Sequence, residues 1–184
     1  GFRSPLVLAG LAAGTLLRLV LAWGPYGNFD QTSWEIVAKI VESGGNVYAE
    51  TSRYNYGPVW SIVLVVLWKL HAATGLTFHF CVRGFLTLVD LGNALLVGDI
   101  ARRAFGAPRG TAALAYALNP VAILLVGFHG QFDNLAALPL LAALRLALAP
   151  PSLPLGAIWA LGTAALCVKH LNVFIVLALF LVVG

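Results

Sequence analysis

The amino-acid sequence predicts an all-α, polytopic membrane protein formed as one module over residues 1–184. Three observations carry this. Of the residues, 60% are hydrophobic and only 10% are charged, where soluble domains carry about 25% charged residues. The mean hydropathy is +0.91, which leaves too little polar side chain to cover a soluble surface. The apolar residues also fall in long runs with short polar breaks, the pattern of membrane helices, so about six transmembrane segments are expected. Interfacial helices are expected in the first outer loop.

The run Pro5–Trp23 is long enough at 1.5 Å per residue to span the ~30 Å hydrocarbon layer. Arg3 before it favours an inside N-terminus, and Arg18 within it turns one face toward protein. Residues 24–57 are the long polar stretch, holding Asp30, Glu35, Glu42 and Glu50, and are expected outside the membrane. Within it, Trp34, Val37, Ile40 and Val41 share one helical face, so residues 31–43 predict an amphipathic helix lying in the interface with Trp34 at headgroup level. Gly44 and Gly45 end it.

Pro58 suits the first turn of a new helix, Pro58–Thr74, which carries Lys69 and His71. Residues 79–101 form the next run, with Arg83 and Asp90 inside it and Arg102 and Arg103 closing it. Residues 108–110 turn the chain. Residues 111–128 follow, interrupted at Asn119-Pro120, and then 134–148, closed by Pro150, Pro151 and Pro154. Residues 155–184 form a last apolar stretch, broken at Lys169 and His170 into two segments.

Charge and parity decide the topology. With Arg102, Arg103 and Arg109 inside, as the positive-inside rule prefers, residues 111–128 run outward and place His129 to Asp133 outside. Lys169 and His170 then lie outside as well. This requires Pro58–Thr74 to be an interfacial or re-entrant helix that does not cross. The net charge of +4 is scattered along the chain, so it reports topology, and nucleic acid is not an expected partner. Cys81 and Cys167 lie in apolar runs and are expected to be free thiols. No cleavable signal sequence is evident. The chain contains no Met, and its last apolar run reaches Gly184, so a longer protein is expected.

Polar residues set in apolar surroundings are the candidates for function. The sequence His129-Gly130-Gln131-Phe132-Asp133-Asn134 sits between two apolar runs. Its His, Gln and Asp could orient a phosphate, a sugar hydroxyl or a metal, or could only cap the following helix. Asp30 is either the N-cap of the helix after it or a general base beside the lipid surface. Arg83 and Asp90, seven apart, share a helix face. Asp90 suits an ion pair with Arg83 or Arg18, and Arg83 suits a phosphate. Lys169 and His170 either snorkel to the interface or line an anion site. Tyr54, Tyr56 and Trp60 suit an aromatic belt or a platform for an acceptor or sugar. No phosphate-binding loop, dinucleotide fingerprint or zinc motif occurs.

Taken together, several of these stretches resemble the GT-C superfamily of membrane glycosyltransferases. They are one membrane helix, then Phe29-Asp30 heading a helix with Trp34, then Tyr54-Asn55-Tyr56-Gly57-Pro58, and later Asn119-Pro120 followed by the 129–133 segment. The nearest similarity is to the polyprenyl-phosphate-hexose-dependent mannosyl- and glucosyltransferases, and it covers only their N-terminal part. Gly57-Pro58 stands where the family carries a Pro-Pro pair. The resemblance implies an inverting transfer of a hexose from a polyprenyl phosphate to an acceptor hydroxyl at the extracytoplasmic face. It implies Asp30 as catalytic base, Asp133 with His129 and Gln131 at the donor side in the second outer loop, and Lys169 facing the lipid-linked donor; by position and charge, Arg83 and His170 are expected to join them on the donor phosphate. It implies no certain cofactor, a divalent metal being one option, and membrane lipids and the lipid-linked sugar as partners. A bacterial or archaeal plasma membrane is expected ahead of the endoplasmic reticulum. A non-catalytic scaffold in a larger membrane complex is the rival class, and a transporter the third.

Overall fold

The computed structural model describes residues 2–25, 27–148 and 154–183, and among them all regular structure is helical. Ten α-helices follow in order: α1 (Pro5–Trp23), α2 (Phe29–Glu42), α3 (Val47–Glu50), α4 (Pro58–Thr74), α5 (Phe78–Phe105), α6 (Arg109–Ala117), α7 (Pro120–Ile123), α8 (Asp133–Ala147), α9 (Leu155–Val168) and α10 (Val173–Val183). A π-helical turn, Leu124–His129, follows α7, and a 3₁₀ turn, His170–Asn172, precedes α10. The turn expected at residues 150–154 lies outside the described residues apart from Pro154.

Local chemistry sets the boundaries. Proline begins α1, α4 and α7, where its missing N–H has no partner to lose. Asn28, Asn46 and Asn119 cap α2, α3 and α7 through their side-chain oxygens. Left-handed Gly75 and Gly106 close α4 and α5. The expected 31–43 helix starts earlier, at Phe29, because Asn28 takes the cap. Asp30 is therefore released from capping.

Neighbouring segments alternate in direction. Phe2 lies against Gly98, Arg18 meets Asp90, and Arg83 reaches the Gly24 carbonyl, so α1 and α5 are antiparallel. The Trp23 and Phe80 rings, 5.1 Å apart, bring the end of α1 to the start of α5. The chain from 24 to 77 thus leaves and re-enters the bundle at one end. Tyr116 bonds Asp90, and Asn134 and Arg145 meet α5 at Leu86 and Asp99. α6 therefore runs against α5, and α8 runs back alongside it. α9 then returns, bringing Cys167 against Gly57, and α10 folds back on it with Trp159 stacked on Phe180.

The expectation of about six spans is corrected. Two helices, α1 and α5, are long and apolar enough to cross a membrane; α6 and the Pro120–His129 segment, bent by 51°, make a third if counted as one span. The 15, 14 and 11 residues of α8, α9 and α10 reach only about 22, 21 and 17 Å. Apolar run length overshoots because capped turns interrupt the runs. The two long helices are compatible with an integral membrane protein.

Two apolar clusters hold the fold. One is centred on Trp34, Trp60, Leu64, Val82, Leu86 and Phe132, the other on Val7, Leu11, Ala94, Ala113 and Ala117. Trp34 corrects a second expectation: it is 2% exposed and packs edge-on against Tyr56, Trp60 and Phe132. The apolar face of α2 is turned into the protein. Cys81 and Cys167 are free thiols.

Candidate functional site

The 129–134 segment is clamped from four sides. The π-turn ends at Gly130, whose φ is +76°, and the N–H groups of Gly130 and Gln131 both reach the Leu125 carbonyl. No side chain fits at Gly130: a Cβ would stand 1.8 Å from Gln31 Nε2. Asn28 Nδ2 and Gln31 Nε2 donate to the His129 carbonyl at 2.9 and 3.2 Å. This α2 anchor was not foreseen, and only the short amide-rich run Asn28 to Gln31 hinted at it.

Phe132 fixes the segment from below. It is fully buried, stacked on Trp60 with centroids 4.6 Å apart, and met edge-on by Tyr56 and Trp34. Two residues on, Asn134 Nδ2 donates to the Leu86 carbonyl at 2.8 Å, and Asn93 Nδ2 donates to the Asn134 carbonyl at 2.8 Å. α8 is thereby tied to α5.

Side chains expected to act together are brought together. Asp30, in the first turn of α2, accepts a hydrogen bond from Gln131 Nε2 on its Oδ2, and His129 Nδ1 lies 3.5 Å from that oxygen. Asp133 opens α8 without acting as its side-chain cap and pairs with Lys169. Each carboxylate sits at a helix N-terminus, where the backbone dipole favours negative charge. The Lys169 ammonium lies 5.4 Å from the centre of the Phe132 ring and 5.6 Å from that of Tyr56. The arrangement therefore offers a partly exposed carboxylate beside an imidazole, with a lysine one residue-pair away.

Other expected members sit apart. Arg83 is fully buried; its Nη1 donates to the Gly24 carbonyl at 3.3 Å and its stem passes under Gly130. It supports the wall of the site from behind. His170 is exposed at the start of the 3₁₀ turn, and no described hydrogen bond or ion pair joins it to the cluster. Trp60 and Tyr54 are 0% and 4% exposed, so neither offers an open ring face, and only Tyr56 is partly exposed. The Tyr54 hydroxyl donates to the Gly57 carbonyl at 2.5 Å and accepts from the Ser61 N–H at 3.0 Å. Burial pushes that phenol above its ordinary range. Gly57 itself is needed, since a Cβ there would meet the Cys167 carbonyl at 1.9 Å. Among the described residues no three His, Cys, Asp or Glu side chains gather to hold a metal ion.

Asp90 pairs with Arg18, at 2.6 Å, and both are almost fully buried. Tyr116 donates to Asp90 Oδ1 at 2.8 Å. Below the 129–134 segment lies a cavity of about 220 Å³, lined by Asp90, Tyr116, Ala122, Leu125, Val126, Gln131, Asp133, Asn134 and Ala137. An apolar groove of about 450 Å³ between α8 and α10 shares Ala137 with it. At the far end of α5, Asp99 gathers Arg109, Arg145 and Arg103 at 2.5, 2.9 and 3.2 Å. The bundle thus carries acidic, amide and imidazole groups at one end and an arginine cluster at the other.

No protein-family model, curated protein or solved structure matches this chain.

Proposed function

We propose that this chain is a module of an inverting GT-C-type glycosyltransferase, moving a hexose from a polyprenyl phosphate to an acceptor hydroxyl on the extracytoplasmic side of a membrane. One observation carries the reading: Asp30, from the first loop, and Gln131 and His129, from a loop a hundred residues later, meet at one end of the bundle. The arginine cluster at the opposite end supports an inside location for that end. The α1–α5 antiparallel pairing supports α4 as a helix that does not cross. α5, with 28 residues, is about 42 Å long against ~30 Å of hydrocarbon, so about 12 Å of it stands beyond the hydrocarbon layer.

Asp30 Oδ2 is held by Gln131, and Oδ1 has no partner among the described residues. Oδ1 takes the proton of the acceptor hydroxyl as the oxygen attacks the anomeric carbon. The bond from that carbon to the phosphate oxygen breaks, and the phosphate leaves with the electron pair. Lys169 has two N–H groups beyond the one given to Asp133, and with His129 it offsets the charge developing on the phosphate. Asp30 returns its proton to water. The α8–α10 groove is apolar and supports a lipid chain leading to the site.

The test is Asp30→Asn in the full-length protein, reconstituted in liposomes with polyprenyl-phosphate-linked hexoses. Transfer should fall about 10²–10⁴-fold while the protein stays folded and inserted. Unchanged turnover rules the assignment out. Absence of transfer by the wild type, together with stable capture in a larger complex, favours the scaffold reading.

A further inference from the structure

We propose that the arginine cluster at the inner end of the bundle is a binding site for the phosphate of an anionic phospholipid. This rests on the membrane reading of the fold and not on the transferase one. Scattered in sequence, the net charge of +4 gathers here: Arg3, Arg102, Arg103, Arg109 and Arg145 stand at this end against one carboxylate, Asp99. The remaining six basic and six acidic side chains cancel. The cations at this end are all arginine. Lys39, Lys69 and Lys169 lie on α2, on α4 and after α9, at the other end. The positive-inside preference counts lysine and arginine alike, so topology does not account for the choice. A guanidinium differs from an ammonium in presenting a planar fork that grips two phosphate oxygens at once.

The geometry leaves those forks open. Arg103 on α5 and Arg145 on α8 both donate through Nε to one oxygen, Asp99 Oδ2, at 3.2 and 2.9 Å. Their terminal Nη groups carry no hydrogen bond among the described residues, and both side chains are partly exposed. Sharing one acceptor oxygen holds the two guanidiniums side by side, within the span of one phosphate. Arg109 meets the other oxygen, Oδ1, at 2.5 Å. Three guanidiniums against one carboxylate leave two positive charges in excess, and they repel one another until an anion sits between them. The surroundings favour a lipid over a soluble phosphate. Phe105, two residues past Arg103, is 83% exposed, and Leu95, one turn before Asp99 on the same face of α5, is exposed as well. A headgroup held by the arginines lays its acyl chains along that apolar face. A zwitterionic headgroup brings an ammonium of its own to a cationic site, so an acidic lipid is preferred.

The experiment is native mass spectrometry of the full-length protein in a neutral detergent, titrated with phosphatidylglycerol, phosphatidylcholine or inorganic phosphate. Phosphatidylglycerol should bind about tenfold or more tighter than phosphatidylcholine, and millimolar inorganic phosphate should not displace it. Arg103→Gln with Arg145→Gln should lower the affinity for phosphatidylglycerol about tenfold or more. Arg103→Lys with Arg145→Lys keeps the charge that balances Asp99 and removes only the forks, so it tests the site in a protein whose buried carboxylate stays paired. It should lower the affinity about fivefold or more. Arg3→Gln with Arg102→Gln takes the same charge from the same end outside the cluster and should change the affinity by about threefold at most. No preference for phosphatidylglycerol, equal losses in the Arg3–Arg102 and Arg103–Arg145 glutamine variants, or full affinity in the lysine variant each overturns the proposal. Displacement of the lipid by millimolar phosphate overturns it too, since the cluster is then a site for free phosphate.

Discussion

Arg18→Met should be among the most damaging single changes in the chain, and a second mutation should undo much of the harm. Arg18 Nη2 lies 2.6 Å from Asp90 Oδ2, with the two side chains 3% and 2% exposed. Arg18 Nη1 also donates to the Ala117 and Gly14 carbonyls at 2.6 and 2.9 Å. Removing the guanidinium leaves a buried carboxylate with only Tyr116 and Asn134 as donors. Stranding one partner of a buried pair costs about 3–5 kcal/mol. Asp90→Asn strands Arg18 instead and should cost a similar amount. The double variant strands no charge; it loses the two carbonyl contacts and should lie about 2–3 kcal/mol below wild type. The cycle therefore predicts a coupling of about 3 kcal/mol or more. Reversible unfolding in mixed micelles, followed by the fluorescence of the five tryptophans, measures it. Additivity within about 0.5 kcal/mol would refute the view that this pair holds α1 to α5 by charge.

Phe132→Ala removes a fully buried ring from the Trp60 stack and should cost about 3–5 kcal/mol; spin labels on α2 and α9 should then show both loops loosening from the 129–134 segment. Gly130→Ala forces a side chain into a left-handed backbone and onto Gln31, so it should cost at least about 1–2 kcal/mol and lower the unfolding midpoint more than Gly75→Ala, which is left-handed too but meets open space. Tyr54 holds its proton more tightly folded than unfolded, so its contribution is complete below the ordinary phenol value of about 10 and is lost as pH rises through the raised one. Unfolding scans above pH 10 should show a decline that Tyr54→Phe reduces.

The helices were legible because their ends carry local signals. Pro5 and Pro58 mark starts that the structure keeps, and Asn119-Pro120 marks the break between α6 and α7. Gly44 and the Lys169 break mark stops. What lay beyond the sequence was direction. Trp34 is one of four apolar residues on a helical face, a pattern that serves equally for lipid and for protein. Only the approach of Trp60 and Phe132, from elements 26 and 98 residues away in sequence, turns it inward. Asp90 had two arginines within plausible reach, and spacing along α5 favoured neither; the antiparallel placement of α1 brings in Arg18. Among candidate site residues, Asp30, His129 and Gln131 meet as their polarity suggested. Trp60 and Tyr54 look the same in sequence whether they line a surface or fill a core, and they fill it. Tyr116 gave no sign, since a tyrosine in an apolar run is ordinary, and Asn134 stood in the polar 129–134 segment with nothing to mark its tie to α5. The arginine–Asp99 cluster was half visible: Arg103 and Arg109 stood out, and Arg145 did not.

The π-turn at Leu124–His129 has a consequence for how this chain tolerates changes of length. A π-turn spends one residue more than an α-turn over the same rise. Deleting one residue of that turn lets it close to an α-turn while the chain after it keeps its direction, so Gln131 still faces Asp30 and Phe132 keeps the Trp60 stack. A second deletion has no surplus residue to draw on and rotates everything after it by about 100°, which carries Gln131 away from Asp30. Homologous sequences should accordingly differ by at most one residue between Asn119 and Asn134, while longer gaps gather in the exposed turn at Ser43 and Gly44 that follows α2.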